Sequence, residues 1–194
     1  WTTELWKIEQ TLQDQVAAAL GGVDGGTAPV DRRSITLFGN ARYEHASSED
    51  YEADARRETV KSFVSYSIGC MFGRYSLNET GVILADQGAK FQDYLARVPS
   101  PTFRPDEDNV IPIVDGDWFE DDVVERFRQF LRAAFGEQHF EENLRFVTEA
   151  LGVKSLRDYF VKSFYKDHVQ RYKKRPIYWL FSSPRGSFSA LIYM

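Results

Sequence analysis

Apolar residues at Leu5, Ile8, Leu12, Val16 and Ala19 recur at spacings of three and four, which predicts a helix over 3–20 that Gly21-Gly22 ends. The stretch from Gly21 to Ser34, with four glycines and Pro29, reads as a loop, and Ile35-Thr36-Leu37-Phe38 as a short strand or docking segment. A second helix is expected over 49–75, starting at Ser48; from Phe63 to Phe72 it is apolar or small nearly all round, as in a helix covered on several sides. Gly69 and Gly73 lie four apart, where missing side chains let another backbone come close. Val82-Ile83-Leu84-Ala85 suggests a strand, and 89–98 a short helix.

Pro99, Pro101 and Pro105 make a stiff connection that separates the first half from the second. Beyond it Phe119, Val123, Phe127, Phe130, Leu131 and Ala134 form one stripe, which predicts a helix over 117–135 capped by Asp117, with Glu120, Asp121 and Asp122 in its first turn. Helices over 140–151 and 155–174 follow, the last carrying Leu156, Tyr159, Phe160, Phe164, His168 and Tyr172 on one face and stopped by Pro176. Two apolar runs, Ile177–Phe181 and Phe188–Met194, flank a Ser-Pro-Gly turn and predict a β-hairpin. A lone hairpin is marginal in water, so its strands are expected to join a sheet supplied by residues after Met194. The fold class is mainly α, a helical bundle-like domain with a C-terminal hairpin of a truncated sheet. Its expected divisions are an N-terminal helix and loop (1–34), a helical segment (35–98), a connection rich in proline and acid (99–116), and helices plus hairpin (117–194).

Charge changes this picture more than composition does. The chain has 194 residues and a formal net charge of −5, which argues against a simple basic nucleic-acid binder. Yet every ionisable residue from Asp106 to Glu125 is acidic, whereas Lys154 to Arg175 holds eight cations against two acids. One surface is thereby suited to phosphates. Two readings of the basic run stand. In one, Lys166, Arg171, Lys173, Lys174, Arg175 and Arg185 contact nucleic-acid phosphates. In the other, the cations satisfy free carbonyls and the dipole at a helix C-terminus. Tyr178, Trp179 and Phe181 divide in the same way between base stacking and core.

Catalytic chemistry is not visible in the chain. It has no phosphate loop, nucleophile elbow or His-Glu-x-x-His. His139 with Glu141 and Glu142 is better explained as an acidic helix start than as a metal site; His168 reads as a core-edge histidine and Cys70 as a small buried residue. The single cysteine excludes an internal disulfide, which makes the cytoplasm the natural compartment, and no run is apolar enough for a membrane span. With Trp at position 1 and an apolar run reaching Met194, the sequence is expected to be a piece of a longer protein.

Several segments in order carry a resemblance. They are Ser67-Ile68-Gly69-Cys70-Met71-Phe72-Gly73-Arg74-Tyr75-Ser76-Leu77 with Gly81–Ala85, Ile111-Pro112, Trp118–Asp122, Glu141–Leu144, Tyr159-Phe160, Lys166-Asp167-His168, and Lys173-Lys174-Arg175-Pro176-Ile177-Tyr178-Trp179-Leu180-Phe181-Ser182-Ser183. Together these resemble the large adenine-specific DNA methyltransferases of bacterial phage-exclusion (BREX) systems, the PglX type, over residues 58–194, whereas the first 57 residues depart from that pattern. The resemblance implies a parent enzyme that binds S-adenosylmethionine on a Rossmann-like domain and holds a flipped adenine with an Asn-Pro-Pro-Tyr-type motif. Neither that motif nor a glycine-rich cofactor loop occurs here, so no catalytic, cofactor or metal residue is carried over. What it implies for this chain is a non-catalytic helical region after the methyltransferase core, close to double-stranded DNA. The alternative is a scaffold that docks other phage-defence proteins without touching DNA.

Overall fold

The computed structural model describes residues 7, 8, 10, 11, 44, 45, 47–86 and 88–193. It divides into two compact units, Trp1–Thr59 and Val60–Met194, with the division inside helix α1 (Tyr51–Met71). Of the helix expected over 3–20, Lys7, Ile8, Gln10 and Thr11 are described and helical; the loop after it and the strand expected at 35–38 lie outside the described residues. In the first unit Asp50 rather than Ser48 serves the start of α1. Its Oδ1 accepts from the Ala53 N–H at 3.3 Å, while the Ser48 hydroxyl donates to Asp54 at 2.7 Å.

In the second unit, α1 buries Val60, Val64, Ile68, Cys70 and Met71. The helix stops at Met71, four residues before its expected end, because Gly73 turns to φ +69° and the Arg74 and Tyr75 N–H groups fold back onto the Gly69 carbonyl at 2.8 and 3.3 Å. Gly69 and Gly73 therefore do not share a helix face. A Cβ on Gly69 would lie 2.3 Å from the Tyr75 ring and 3.2 Å from the Tyr178 hydroxyl, so the close approach there is by aromatic side chains, not by a second backbone.

The run 82–85 is not a strand. Ile83 and Leu84 donate to the Arg74 and Gly73 carbonyls at 2.8 and 3.2 Å and pack with Tyr94 and Val98 in a small cluster beside α2 (Phe91–Arg97).

The main core is aromatic and helical. It is built by α1 with α3 (Val123–Phe135), α4 (Phe140–Leu151), α5 (Leu156–Tyr159), a π-helical segment (Phe160–Phe164) and α6 (Tyr165–Arg171). Phe127 meets Phe160 at 5.9 Å between centroids, and Phe103 meets Phe130 edge-on at 5.4 Å. The cap of α3 is Asp122, not Asp117: its Oδ1 accepts from the Val124 and Glu125 N–H groups, both at 2.9 Å. Starting five residues later puts Val123, Val124, Phe127, Phe130 and Leu131 inside together and leaves Glu120 and Asp121 ahead of the helix. The π segment has a cause legible in the sequence. Phe160, Phe164, His168 and Tyr172 are spaced by fours, and each such step overshoots a 3.6-residue turn by about 40°. A wider turn absorbs that drift and keeps Phe160, Phe164 and His168 all buried.

The sheet has three antiparallel strands in the order β1 (Val110–Ile113), β3 (Ser189–Ile192), β2 (Trp179–Ser182). The hairpin is as expected, but its third strand comes from upstream: Ile111 pairs with Leu191 and Pro112 with Ala190. Pro112 is tolerated because β1 is an edge strand, and that same proline hides the strand in the sequence.

Candidate nucleic-acid interface

The structure sorts the cations of the basic stretch into engaged and free. Arg157 donates to the Val114 carbonyl at 2.7 Å and pairs with Asp117 and with the buried Asp122 carboxylate, whose Oδ2 lies 2.8 Å away. That last approach is an ionic contact out of line for a hydrogen bond. Lys162 pairs with Asp158, and Asp167 takes Lys61 at 3.4 Å and the Tyr159 hydroxyl at 3.0 Å. None of these pairs draws on Lys166, Arg171, Lys173, Lys174, Arg175 or Arg185. All six are exposed and without a carboxylate partner among the described residues.

Lys166 and Arg171 belong to α6, and Lys173, Lys174 and Arg175 follow it directly. Arg185 does not join them: it sits in the hairpin turn at the far end of β2, a four-residue strand about 13 Å long at ~3.3 Å per residue.

The backbone beneath the run is held without help from its side chains. Tyr172 closes α6; Lys173 at φ +51° and Lys174 at φ +65° then take left-handed conformations. Lys173 donates to Gln170 at 3.0 Å and Lys174 to Val169 at 2.8 Å, the paired bonds of a Schellman ending. These bonds satisfy the last carbonyls, and among the described residues no lysine or arginine of the run is needed for them. A left-handed residue with a Cβ costs about 1–2 kcal/mol, so two in succession hold this turn against its local preference.

His168 fixes where the chain goes next. It is buried, and its Nε2 accepts from the Ile177 and Tyr178 N–H groups at 3.2 and 3.3 Å, which places the remaining proton on Nδ1, an atom with no hydrogen-bond partner. Burial, then the nearby Arg171 charge, pulls its pKa down to about 4. Tyr178 stacks on the imidazole at 5.0 Å and on Phe72 at 4.9 Å.

The three aromatics weighed together in the sequence thus part company. Tyr178 is core, while Trp179 is 48% and Phe181 51% exposed. Two residues apart on β2, these rings share the face of the sheet opposite Leu180, whose cross-strand neighbour Leu191 is buried. Phe188 is also exposed, and Phe119 meets it edge-on at 6.0 Å. Periodicity alone could pair Trp179 with Phe181; it could not say that their rings stand exposed at the β2 edge while Ala190, across from Phe181 on the same face, is buried.

No family model matches the chain. It is 40% identical over 208 residues to the adenine-specific methyltransferase BrxX of Escherichia coli O9:H4 (strain HS), an alignment that takes in 98% of this chain. It is 35% identical over 206 residues to the adenine-specific methyltransferase PglX of Lacticaseibacillus casei (strain Zhang), across 97% of this chain. The chain matches one segment of these methyltransferases. It spans 17% of the length of each. The similarity also covers the first 57 residues, which sequence inspection had set apart; a glycine-rich loop can diverge without breaking the alignment on either side of it.

Proposed function

We propose that this chain is a non-catalytic, DNA-proximal region of a cytoplasmic, S-adenosylmethionine-dependent adenine-N6 DNA methyltransferase of the phage-defence type, and that Lys166, Arg171, Lys173, Lys174, Arg175 and Arg185 meet its DNA phosphates. The observation that carries the reading is the free state of these cations: they are exposed, unpaired among the described residues, and excused from helix capping. Phosphate binding needs only positive charge at suitable spacing.

S-adenosylmethionine supplies the methyl group in such an enzyme. The described residues do not fit a site for it: the sheet is three short antiparallel strands, without the parallel strand, glycine-rich turn and helix N-terminus that cradle such cofactors. No step of methyl transfer is therefore assigned to this chain. Among the described residues no helix is long and apolar enough to cross a membrane.

A second reading, a scaffold for other defence proteins, draws support from Trp118, which is 74% exposed amid Asp117, Glu120 and Glu125. DNA affinity measured at several salt concentrations separates the two. Changing Lys173, Lys174 and Arg175 to Ala is expected to weaken duplex binding about equally for all sequences and to flatten the salt slope by roughly 0.9 log–log units per lost contact. An unchanged slope would remove the DNA assignment.

A further inference from the structure

The outer face of the sheet carries chemistry that phosphate binding does not use. Trp179 and Phe181 lie two residues apart on β2, both about half exposed, with the exposed Phe188 just before β3. Rings on one strand face, two residues apart, form a flat apolar surface, and every base has a π-face that such a surface can take. The charge around it is ordered. Arg175 precedes Trp179 by four residues and so lies within about 14 Å along the chain; the free cations Lys173 and Lys174 come just before. At the other end the chain leaving β1 after Ile113 enters the acidic stretch Asp115–Asp122, at the same edge as the hairpin turn because Ile113, Ser189 and Ser182 share one row of the sheet. Anionic phosphates are thus attracted most at the Trp179 end, whereas at the hairpin-turn end the acidic stretch offsets Arg185.

We propose that this face stacks unpaired bases, Trp179 first and Phe181 second, on a strand whose phosphates are held by Lys173, Lys174 and Arg175. The inference rests on the DNA reading above and deepens it: the bases taken by this face are those of a single-stranded or locally unstacked stretch of the DNA whose phosphates the same cations meet. Cations near the rings with no carboxylate partner among the described residues favour a nucleic-acid occupant over a protein one.

The test titrates this chain with a fluorescent single-stranded oligonucleotide, an abasic strand of equal length, and a duplex. The wild type is expected to prefer the ordinary single strand over the abasic one by about tenfold or more. Trp179→Ala should lose about that factor while keeping the salt slope, Phe181→Ala should lose less, and Trp179→Phe should retain most of the affinity, which also guards against a folding artefact. Equal binding of the abasic and ordinary strands, with full affinity in Trp179→Ala, would overturn stacking and leave the phosphate assignment standing. Binding to no nucleic acid would overturn both. In the full-length protein, Trp179→Cys should react with a maleimide when DNA is absent; protection there would show the face covered by protein and end the proposal.

Discussion

At Gly69 the missing side chain is a matter of space. The Tyr75 ring fills the place a Cβ would occupy and itself stacks on Tyr66 at 5.4 Å, while the Tyr178 hydroxyl closes the other side. Gly69→Leu is expected to cost about 1–3 kcal/mol through overpacking, although any side chain there gains up to about 1 kcal/mol of helix propensity. Denaturant titration would show this as a lower midpoint with an unchanged slope. Lys173 poses the opposite case. It occupies the left-handed position at which glycine is favoured, so Lys173→Gly should stabilise the fold by about 1 kcal/mol while removing one phosphate contact. Thermal unfolding and the DNA salt slope, measured on the same variant, are expected to move apart. A gain in stability with an unaltered slope would mean that the lysine does not touch DNA.

Between elements, two buried polar groups hold helices to their neighbours. Asp122 caps α3 and meets Arg157 of α5. Asp122→Ala removes a cap and leaves Arg157 with Asp117 as its remaining carboxylate, for an expected loss of about 2–4 kcal/mol in chemical denaturation. His168 ties α6 to the start of the hairpin, and its titration gives that tie a pH signature. The unfolded imidazole takes up a proton near its ordinary 6.5 and the folded one near about 4, so stability falls as pH drops through this window, by roughly 3 kcal/mol over its whole width. Asp106 works with the opposite sign. Burial, then the nearby Asp108, raises its carboxyl to about 6, so the folded state gains relative stability as pH drops from about 6 to 3.8. The two oppose each other in the wild type, and the expected result is a stability advantage over His168→Gln that shrinks between pH 6.5 and 4. An advantage independent of pH would mean that the folded and unfolded imidazoles take up their proton alike.

For the molecule as a whole, the β1–β3 pairing joins residues about eighty positions apart in the sequence, and β3 delivers Leu191 to the same core that receives Tyr178 and the helices. A chain ending at Pro176 loses both side chains and strands β1 without a partner. It is expected to unfold without a sharp cooperative transition, which calorimetry would reveal; a transition as sharp as that of the complete chain would show that the helices stand alone. Local patterning by itself determined the body and C-terminal end of the helix expected over 117–135, the helix over 140–151 and the terminal hairpin, because their apolar spacing matches one period and their termini carry Gly or Pro. It also marked the basic run, since charge is visible in sequence. Tertiary structure decided the rest. Asp117 and Asp122 are equally good caps by residue type, and burial of Val123, Val124 and Arg157's partner chose the later one. Val110–Ile113 is too short, and too broken by Pro112, to announce a strand until β3 lies beside it. Which cations lack a carboxylate partner among the described residues, and which hairpin rings stand exposed, depends on side chains distant in sequence, and no periodicity encodes those distances.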